Sequence, residues 1–209
     1  MLLTLLIGVP AGIASAVFHR RWLDRVIGVG AAAVLAMPNY FVAMLLILVF
    51  AIWSSWLPAT SFVPFSQDPW EWARHLILPW VTLGLASAAV IARQLRSSLI
   101  GVLGEDYIRT ARAKGLRSRQ VVVKHATKNA AIPVVTAFGT QVAFALGGSV
   151  VIEQVFGIPG IGQLAIAAVQ RRDLPIIQGV VMLTTVLVLL CNLVVDLSYG
   201  YFNPKVRFG

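Results

Sequence analysis

The residues with the clearest chemistry are the positive side chains of one polar segment, EDYIRTARAKGLRSRQVVVKHATKNAAIP, which runs from Glu105 to Pro133. Lysine and arginine carry several hydrogen-bond donors and no acceptor, so they bind carboxylates and phosphates. At this density they suit docking to a protein partner or contact with anionic lipid headgroups. The segment therefore indicates a binding surface.

Side chains that could catalyse a reaction or hold a metal are few and scattered. Cys191 is the only cysteine, and the three histidines, His19, His75 and His125, are far apart in the sequence. The stretches G-x-S-x-G, H-E-x-x-H and G-x-x-x-x-G-K-S/T do not occur, which removes a nucleophile elbow, a zinc-protease site and a phosphate-binding loop. We therefore expect no catalytic residue, no metal site and no cofactor bound by this chain.

The elements that must position the basic segment are membrane helices. Of the 209 residues, 58% are hydrophobic and 12% are charged, whereas soluble domains are about 45–50% apolar and about 25% charged. An all-α integral membrane protein is predicted, because a helix satisfies its own backbone groups in lipid. Five apolar runs predict a bundle of about five spans: Leu2–Phe18, Val26–Trp53, Leu76–Ile91, Ile132–Ile152 and Ile176–Tyr199.

The loops between these runs differ in positive charge. Cytoplasmic loops retain lysine and arginine, and fourteen of the 17 such residues fall on alternate loops or the C-terminal end. This predicts a cytoplasmic C-terminus, and the net charge of +9 indicates orientation in the membrane and not nucleic-acid binding. The fourteen are Arg20, Arg21, Arg25, Arg93, Arg96, Arg109, Arg112, Lys114, Arg117, Arg119, Lys124, Lys128, Lys205 and Arg207.

The same topology places the start of the first run on the external side, with no charge before it. A signal peptide would carry positive charge ahead of its apolar stretch, whereas His19–Arg21 follows the stretch here. We therefore expect a further span to precede Met1 in a bundle of this kind.

The polar region of about residues 93–131 contains a helix, a glycine and a second helix. Residues 105–114 are rich in helix formers, with acids at the start and lysine at the end, as the helix dipole favours. Gly115 is predicted to end this helix, and Ser118 to cap a second one that runs toward Pro133. Small side chains around Arg112 favour close approach by a partner, and a simple anchor for lipid headgroups is an equally good interpretation from the residues alone.

Three stretches in order resemble the signatures of one family: RTARAKGL (Arg109–Leu116), KHATKNAAIP (Lys124–Pro133) and VIEQVFGIPGIGQL (Val151–Leu164). Together with the ending DLSYGYFNPKVRFG (Asp196–Gly209), they resemble the permease subunits of binding-protein-dependent ABC transporters. The dipeptide, oligopeptide and nickel branch is the most similar. The basic segment is similar to the cytoplasmic coupling loop of the family, the EAA loop, which docks on the ATP-binding subunit.

The resemblance implies a single permease domain over residues 1–209 of the bacterial inner membrane, forming half of a translocation pathway. Members usually have six spans, so the resemblance implies a first span before the five that are predicted here. The implied partners are ATP-binding subunits that hold ATP and Mg, a second homologous permease, an extracytoplasmic solute-binding protein and membrane lipid. Dipeptides or oligopeptides are the first expectation for the substrate, with nickel chelates and glutathione as alternatives.

The resemblance also assigns the contact with the ATP-binding subunit. Small residues would enter a cleft of that subunit, basic residues would bind at its rim, and the glycine would permit the turn. Arg109 and Thr110 stand where the generic motif has glutamate and its first alanine, so the pairing chemistry of that motif does not carry over. The seven coupling residues are Arg109, Thr110, Ala111, Arg112, Ala113, Lys114 and Gly115.

Two further sets of residues lie in and after the fourth predicted span. Phe156–Leu164 is either a turn between spans or, as the resemblance suggests, a re-entrant or interfacial segment near an external gate. The gate candidates are Glu153, Phe156, Pro159 and Gly160. Small residues favour close packing against the second permease, with a pore-lining role as the alternative, and these are Gly139, Gly147, Gly148 and Ser149.

An ion-coupled secondary transporter is the main alternative of another class. It would keep carboxylates inside its spans, because charged groups are costly in lipid and are retained there for coupling. Glu153 and Asp196 lie toward the ends of their predicted spans, and no span has a central carboxylate. The sequence therefore favours ATP-driven transport.

Overall fold

Every regular element in residues 1–202, the part of the chain that the structure describes, is a helix. The structure is a computed structural model. The helices are α1 Leu2–Val17, α2 Trp22–Ala36, α3 Asn39–Leu46, α4 Pro69–Leu103, α5 Asp106–Ala113, α6 Ser118–Gln120, α7 Thr127–Phe156, α8 Ile161–Arg171 and α9 Leu174–Phe202. Two π-helical segments, Ile47–Trp53 and Val121–Ala126, continue α3 and join α6 to α7. The predicted all-α membrane fold is confirmed; Lys205 and Arg207 lie outside the described residues.

Within residues 1–202, three helices are long and apolar enough to cross a membrane: Pro69–Leu103, Ser118–Phe156 and Leu174–Ser198. The first two extend well beyond the apolar runs that predicted them, because flanking polar residues continue the same helices. α1 is apolar but has only 16 residues. At 1.5 Å per residue that is about 24 Å, shorter than the roughly 30 Å of a bilayer core.

The second predicted span is a bent pair of helices. Trp22–Ala36 and Asn39–Trp53 are bent by 107° relative to each other. Met37 between them is extended, with φ −92° and ψ 135°. Pro38 explains the break, because proline lacks an N–H group and disfavours the helical conformation in the residue before it. The predicted run Val26–Trp53 is therefore not one straight helix; the two helices pass together as apolar enough for one broken span or for a re-entrant pair.

α1 lies against α4 through small residues. A Cβ atom on Gly8 or Gly12 would come within 2.9 Å of a backbone oxygen of α4, that of Ala88 or Ala92 respectively. Membrane helices approach this closely where small residues recur every four positions. Gly8 and Gly12 have the G-x-x-x-G spacing that is typical of close helix packing. The sequence-based prediction considered such packing only for the fourth span, so it missed this contact.

α4 is the central helix of the bundle. Half of its most apolar stretch is buried, against 11% for that of Ser118–Phe156 and none for that of Leu174–Ser198. α7 and α9 therefore have broad uncovered faces within the described chain. Buried apolar clusters occur at both ends of the bundle. At one end, called the α5 end below, the cluster includes Ile91, Leu95, Leu99, Ile108, Ala111 and Val121. At the other, the α8 end, it comprises Ala43, Leu78, Ile152 and Phe156.

Candidate functional site

The first helix of the basic segment is α5, as predicted. Glu105 immediately precedes it in an extended conformation and makes no side-chain capping bond. Asp106 lies in the first turn, where a negative charge suits the helix dipole, and accepts a hydrogen bond from Arg109 Nη1 at 3.2 Å. Both of these side chains are largely exposed, so the pair contributes little to stability.

One face of α5 is buried in the bundle. Ile108 is fully buried and Ala111 is 9% exposed. Both belong to the cluster at the α5 end, together with Leu95 and Leu99 of α4. α5 is therefore packed onto the end of the central helix and is not a free loop.

This packing corrects the role assigned to Ala111. Thr110 and Ala113 are exposed, so they stay available for the predicted contact with a partner. Ala111 faces the bundle instead, because the helical period places it one turn after Ile108. The basic residues of the segment remain on the exposed side: Arg109, Arg112 and Lys114.

Gly115 ends the helix in the predicted way. Its φ of +78° is in the left-handed region, and its N–H donates to the carbonyl oxygen of Arg112 at 2.9 Å. Glycine adopts this conformation without the steric cost that a Cβ imposes, which explains its use after helix C-termini. A Cβ at this position would have no neighbour within 4 Å. The constraint therefore comes from the backbone and not from packing.

The second helix begins at Ser118 and continues to Phe156 without a break. The predicted cap is wrong, since Ser118 is the first helical residue and the preceding Arg117 makes no side-chain capping bond. Pro133 lies inside the helix instead of marking its start. Asn129 Nδ2 donates to the Tyr107 hydroxyl at 2.7 Å and links this helix to α5. Sequence reasoning missed this link, which joins residues 22 positions apart.

Arg93 and Arg96 lie in α4 and not in a loop. Arg96 makes an ion pair with Asp24 near the start of α2. The pair could not be predicted from the sequence, because no local pattern connects residues 72 positions apart.

The gate candidates form a connection at the α8 end. The Glu153 carboxylate accepts hydrogen bonds from the backbone N–H of Gln163 at 2.9 Å and from the Ser149 hydroxyl at 3.1 Å. Gln163 Nε2 donates in return to the Glu153 carbonyl oxygen at 2.8 Å. A Cβ on Gly160 would collide with the Glu153 carboxylate, so a larger residue would force this carboxylate away from its hydrogen bonds. Glu153 thus binds the first turn of α8, where exposed N–H groups favour a negative charge.

The other two gate candidates lie in different surroundings. Phe156 is 2% exposed and belongs to the apolar cluster at the α8 end, whereas Pro159 is exposed. Gly157, with φ +66°, starts the turn that leads into α8. Phe156–Leu164 therefore contains both a turn and the start of a helix. The predicted placement of this segment near an external gate stays a prediction.

The four small residues of the fourth span do not share one environment. A Cβ on Gly139 would lie 2.6 Å from Val195 Cγ2, so Gly139 contacts α9 of the same chain. Ser149 bonds to Glu153. A Cβ on Gly147 would have no neighbour within 4 Å, and one on Gly148 would meet only Asn39 Nδ2 at 4.0 Å. Within the described chain, Gly147 and Gly148 are thus the members of the set with space for a partner.

The fold is shared with a solved membrane transporter. A chain of the MetNI methionine ABC transporter, in an inward-facing conformation, matches 97% of this chain and 88% of its own length with a TM-score of 0.74. The sequences are 19% identical, so the likeness concerns the fold alone.

The sequence places the chain in a family. Residues 8–208 match the binding-protein-dependent transport system inner membrane component, and the chain belongs to this family. Similar proteins include the glutathione transport system permease protein GsiC of Escherichia coli (strain K12), 45% identical over 208 residues, and that of Salmonella typhi, 46% identical. The chain spans 65% of the length of these relatives. The family resemblance is confirmed.

Proposed function

We propose that this chain is the permease subunit of an ATP-driven ABC importer in the inner membrane, with its C-terminus in the cytoplasm. The observation that carries the proposal is the seating of α5: Ile108 and Ala111 are buried against α4, while Thr110 and Ala113 are exposed. A partner that displaces the exposed face must also move the buried face and the helices packed on it. Membership of the binding-protein-dependent family supports the proposal.

The proposed mechanism is a rigid-body motion in which α5 is a lever. ATP-binding subunits hold ATP and Mg, and their closure displaces α5 through Thr110 and Ala113. Arg109, Arg112 and Lys114 bind polar groups at the rim of the contact. The motion passes to α4 and α7, which change packing between inward-open and outward-open states. The chain itself catalyses no reaction.

A second homologous permease completes the pathway, and an extracytoplasmic solute-binding protein delivers the substrate. The uncovered face of α7, with exposed Phe144 and Gly147, supports contact with the second permease. Membrane lipid covers the remaining apolar surface, including that of α9.

Short peptides are the proposed substrate class, and glutathione is the first to test because similar proteins carry it in their names. Glutathione is itself a tripeptide, so it fits the peptide branch that the sequence resembles. Dipeptides, longer peptides and nickel chelates are the alternatives.

An ion-coupled mechanism is not favoured. Among the residues whose side chains the structure describes, Asp24 is the only buried charged one, and it is paired with Arg96. A carboxylate fixed in this way is not free to bind and release a coupling ion.

The proposal is tested by co-purifying the full-length chain with its partner subunits and measuring ATPase activity in lipid vesicles. The solute-binding protein is added with and without glutathione, and stimulation by the loaded protein is expected. Ala113→Trp should abolish co-purification of the ATP-binding subunit, because the indole would fill the space that the partner requires. Val29→Trp is the matched control, since Val29 is exposed on α2, away from α5. Unaltered binding by Ala113→Trp would contradict the docking role of α5.

A further inference from the structure

The Asp24 carboxylate is held by groups from three parts of the bundle. Arg96 of α4 donates from Nε to Oδ1 at 2.6 Å and from Nη2 to Oδ2 at 2.9 Å. The Ser15 hydroxyl, near the end of α1, donates to Oδ1 at 2.5 Å. The backbone N–H of Arg20, in the turn between α1 and α2, donates to Oδ2 at 2.9 Å. His19 Nδ1 lies 3.3 Å from Oδ2 and 3.1 Å from Arg96 Nη2.

These contacts specify one geometry for the turn between α1 and α2. Arg20 has φ +64°, a left-handed conformation that is unusual for a residue with a Cβ. Its N–H points to the Asp24 carboxylate, so the hydrogen bond helps to hold the uncommon conformation. Such conformations persist where their surroundings determine them, and they concentrate at functional elements.

Stability alone is a weak reason for a buried ion pair. Removing two charges from water costs about as much as their attraction returns, and apolar pairs of similar size are often as stable. Asp24 is 6% exposed and bears this cost, whereas the Arg96 side chain is 33% exposed, and α2 has no other buried residue. The pair is thus the main buried side-chain contact between α2 and the rest of the bundle.

The Asp24–Arg96 pair lies next to the apolar cluster on which α5 packs. Leu95 and Leu99 flank Arg96 on α4 and belong to the cluster that buries Ile108 and Ala111. Ala16, the residue after Ser15, belongs to the same cluster. A displacement of α5 therefore reaches the part of α4 that carries Arg96.

We infer that Asp24 and Arg96 are a positioning pair that makes α2 move with α4 when α5 is displaced. The inference rests on the proposed function, which supplies the displacement of α5. The two side chains act through the helices and contact neither nucleotide nor substrate. Without the pair, α4 moves but α2 does not follow, so ATP is hydrolysed with less transport.

The first experiment measures glutathione taken up per ATP hydrolysed by the complete transporter in vesicles. Asp24→Asn and Arg96→Gln are each expected to lower this ratio at least about threefold, as uncoupling within a mechanical network does. The double variant should lose no more than the larger single loss, because both changes remove one interaction. Glu71→Gln is the control, since it breaks a half-buried ion pair with Arg74 at the α8 end of α4, away from Asp24 and Arg96.

Two outcomes of this experiment would overturn the inference. Uptake and hydrolysis that fall by the same factor would mean that the pair only supports folding or assembly. Additive losses in the double variant would mean that Asp24 and Arg96 act separately.

The second experiment does not depend on transport, so it separates failure of this inference from failure of the proposed function. Spin labels at Val29→Cys on α2 and Arg93→Cys on α4, both exposed positions, are placed in a Cys191→Ser background in the purified complex. With the native Asp24–Arg96 pair, a narrow distribution of distances between the two spin labels is expected. After Asp24→Asn, this distribution should be broad. An unchanged distribution would overturn the inference, whereas absence of ATP-driven uptake in the unmodified transporter would refute only the proposed function.

Discussion

The carboxylate of Glu153 joins the end of α7 to the start of α8. It accepts a hydrogen bond from the Gln163 N–H, one of the groups that a helix leaves without an internal partner in its first turn. Gly160 leaves room for the approach, and the Gln163 side chain bonds back to the Glu153 carbonyl oxygen. Glu153 thus stabilises the connection between α7 and α8. Any role of Glu153 at a gate would depend on the position of α8.

Glu153→Gln is expected to loosen the start of α8. The amide keeps the size of the side chain but loses the charge that strengthens these hydrogen bonds, which should cost about 1–2 kcal/mol. Thermal unfolding in detergent measures the loss, and faster hydrogen exchange at residues 161–164 would locate it. Glu105→Gln is the matched control, because Glu105 precedes α5 without a side-chain capping bond. Equal effects of the two substitutions would contradict the assignment.

The contact between α1 and α4 decides how the elements assemble at the centre of the bundle. Gly8 and Gly12 face the backbone of α4, where Ala88 and Ala92 recur with the same spacing of four. Lipid gives no hydrophobic drive for helices to associate, so close backbone approach and van der Waals contact are the main source of attraction. α1 is short for a span, and this interface compensates by fixing it to the central helix.

Gly12→Ala and Gly30→Ala should have opposite effects. Alanine favours helix over glycine by about 1 kcal/mol, and Gly30 of α2 has open space around it, so the Gly30 substitution should be neutral or stabilising. At Gly12 the new Cβ would approach the Ala92 carbonyl oxygen and Leu95 Cβ, each at 2.9 Å. Overpacking of this kind costs about 1–3 kcal/mol.

Thermal unfolding of the two glycine variants in the same detergent gives the comparison. A Gly12→Ala protein as stable as the unsubstituted chain would mean that α1 and α4 are separated further than 2.9 Å at this point.

The whole molecule presents two kinds of membrane surface. α9 packs on α7 along one face, but no residue in its most apolar stretch is buried and its large aliphatic side chains are exposed, which suits lipid. α7 has an uncovered face where Phe144 and Val151 flank Gly147 at helical spacing. A large ring beside a glycine forms a ridge and a hollow, a shape that another helix can match. The second permease is therefore expected on α7.

Gly147→Trp should reduce co-purification of the second permease by at least about tenfold, because an indole in the hollow blocks close approach and interface glycines are intolerant of bulk. Gly179→Trp supplies the control, since Gly179 is exposed on α9 and a Cβ there also has no neighbour within 4 Å. Full recovery of the second permease with Gly147→Trp, or its loss with Gly179→Trp, would place the interface elsewhere.

The sequence alone determined the class of protein and the course of its local structure. Hydropathy predicted the membrane helices, since lipid requires apolar residues over a whole span. A helix was predicted from the acids before Tyr107 and the basic residues after it, and its end was predicted from Gly115. These helix-dipole and capping preferences operate within a few residues of the chain. The order of motifs around these features was sufficient to indicate the family.

Only the tertiary structure decided which residues of each helix are buried and which other helices they contact. It placed Ala111 inside the bundle, joined Asp24 to Arg96 across 72 positions and bound Glu153 to the start of α8. It also assigned Gly139 to α9 and left Gly147 open. The reason is physical: propensity and hydropathy depend on neighbours in the chain, whereas an ion pair or a close backbone approach depends on how separate helices pack.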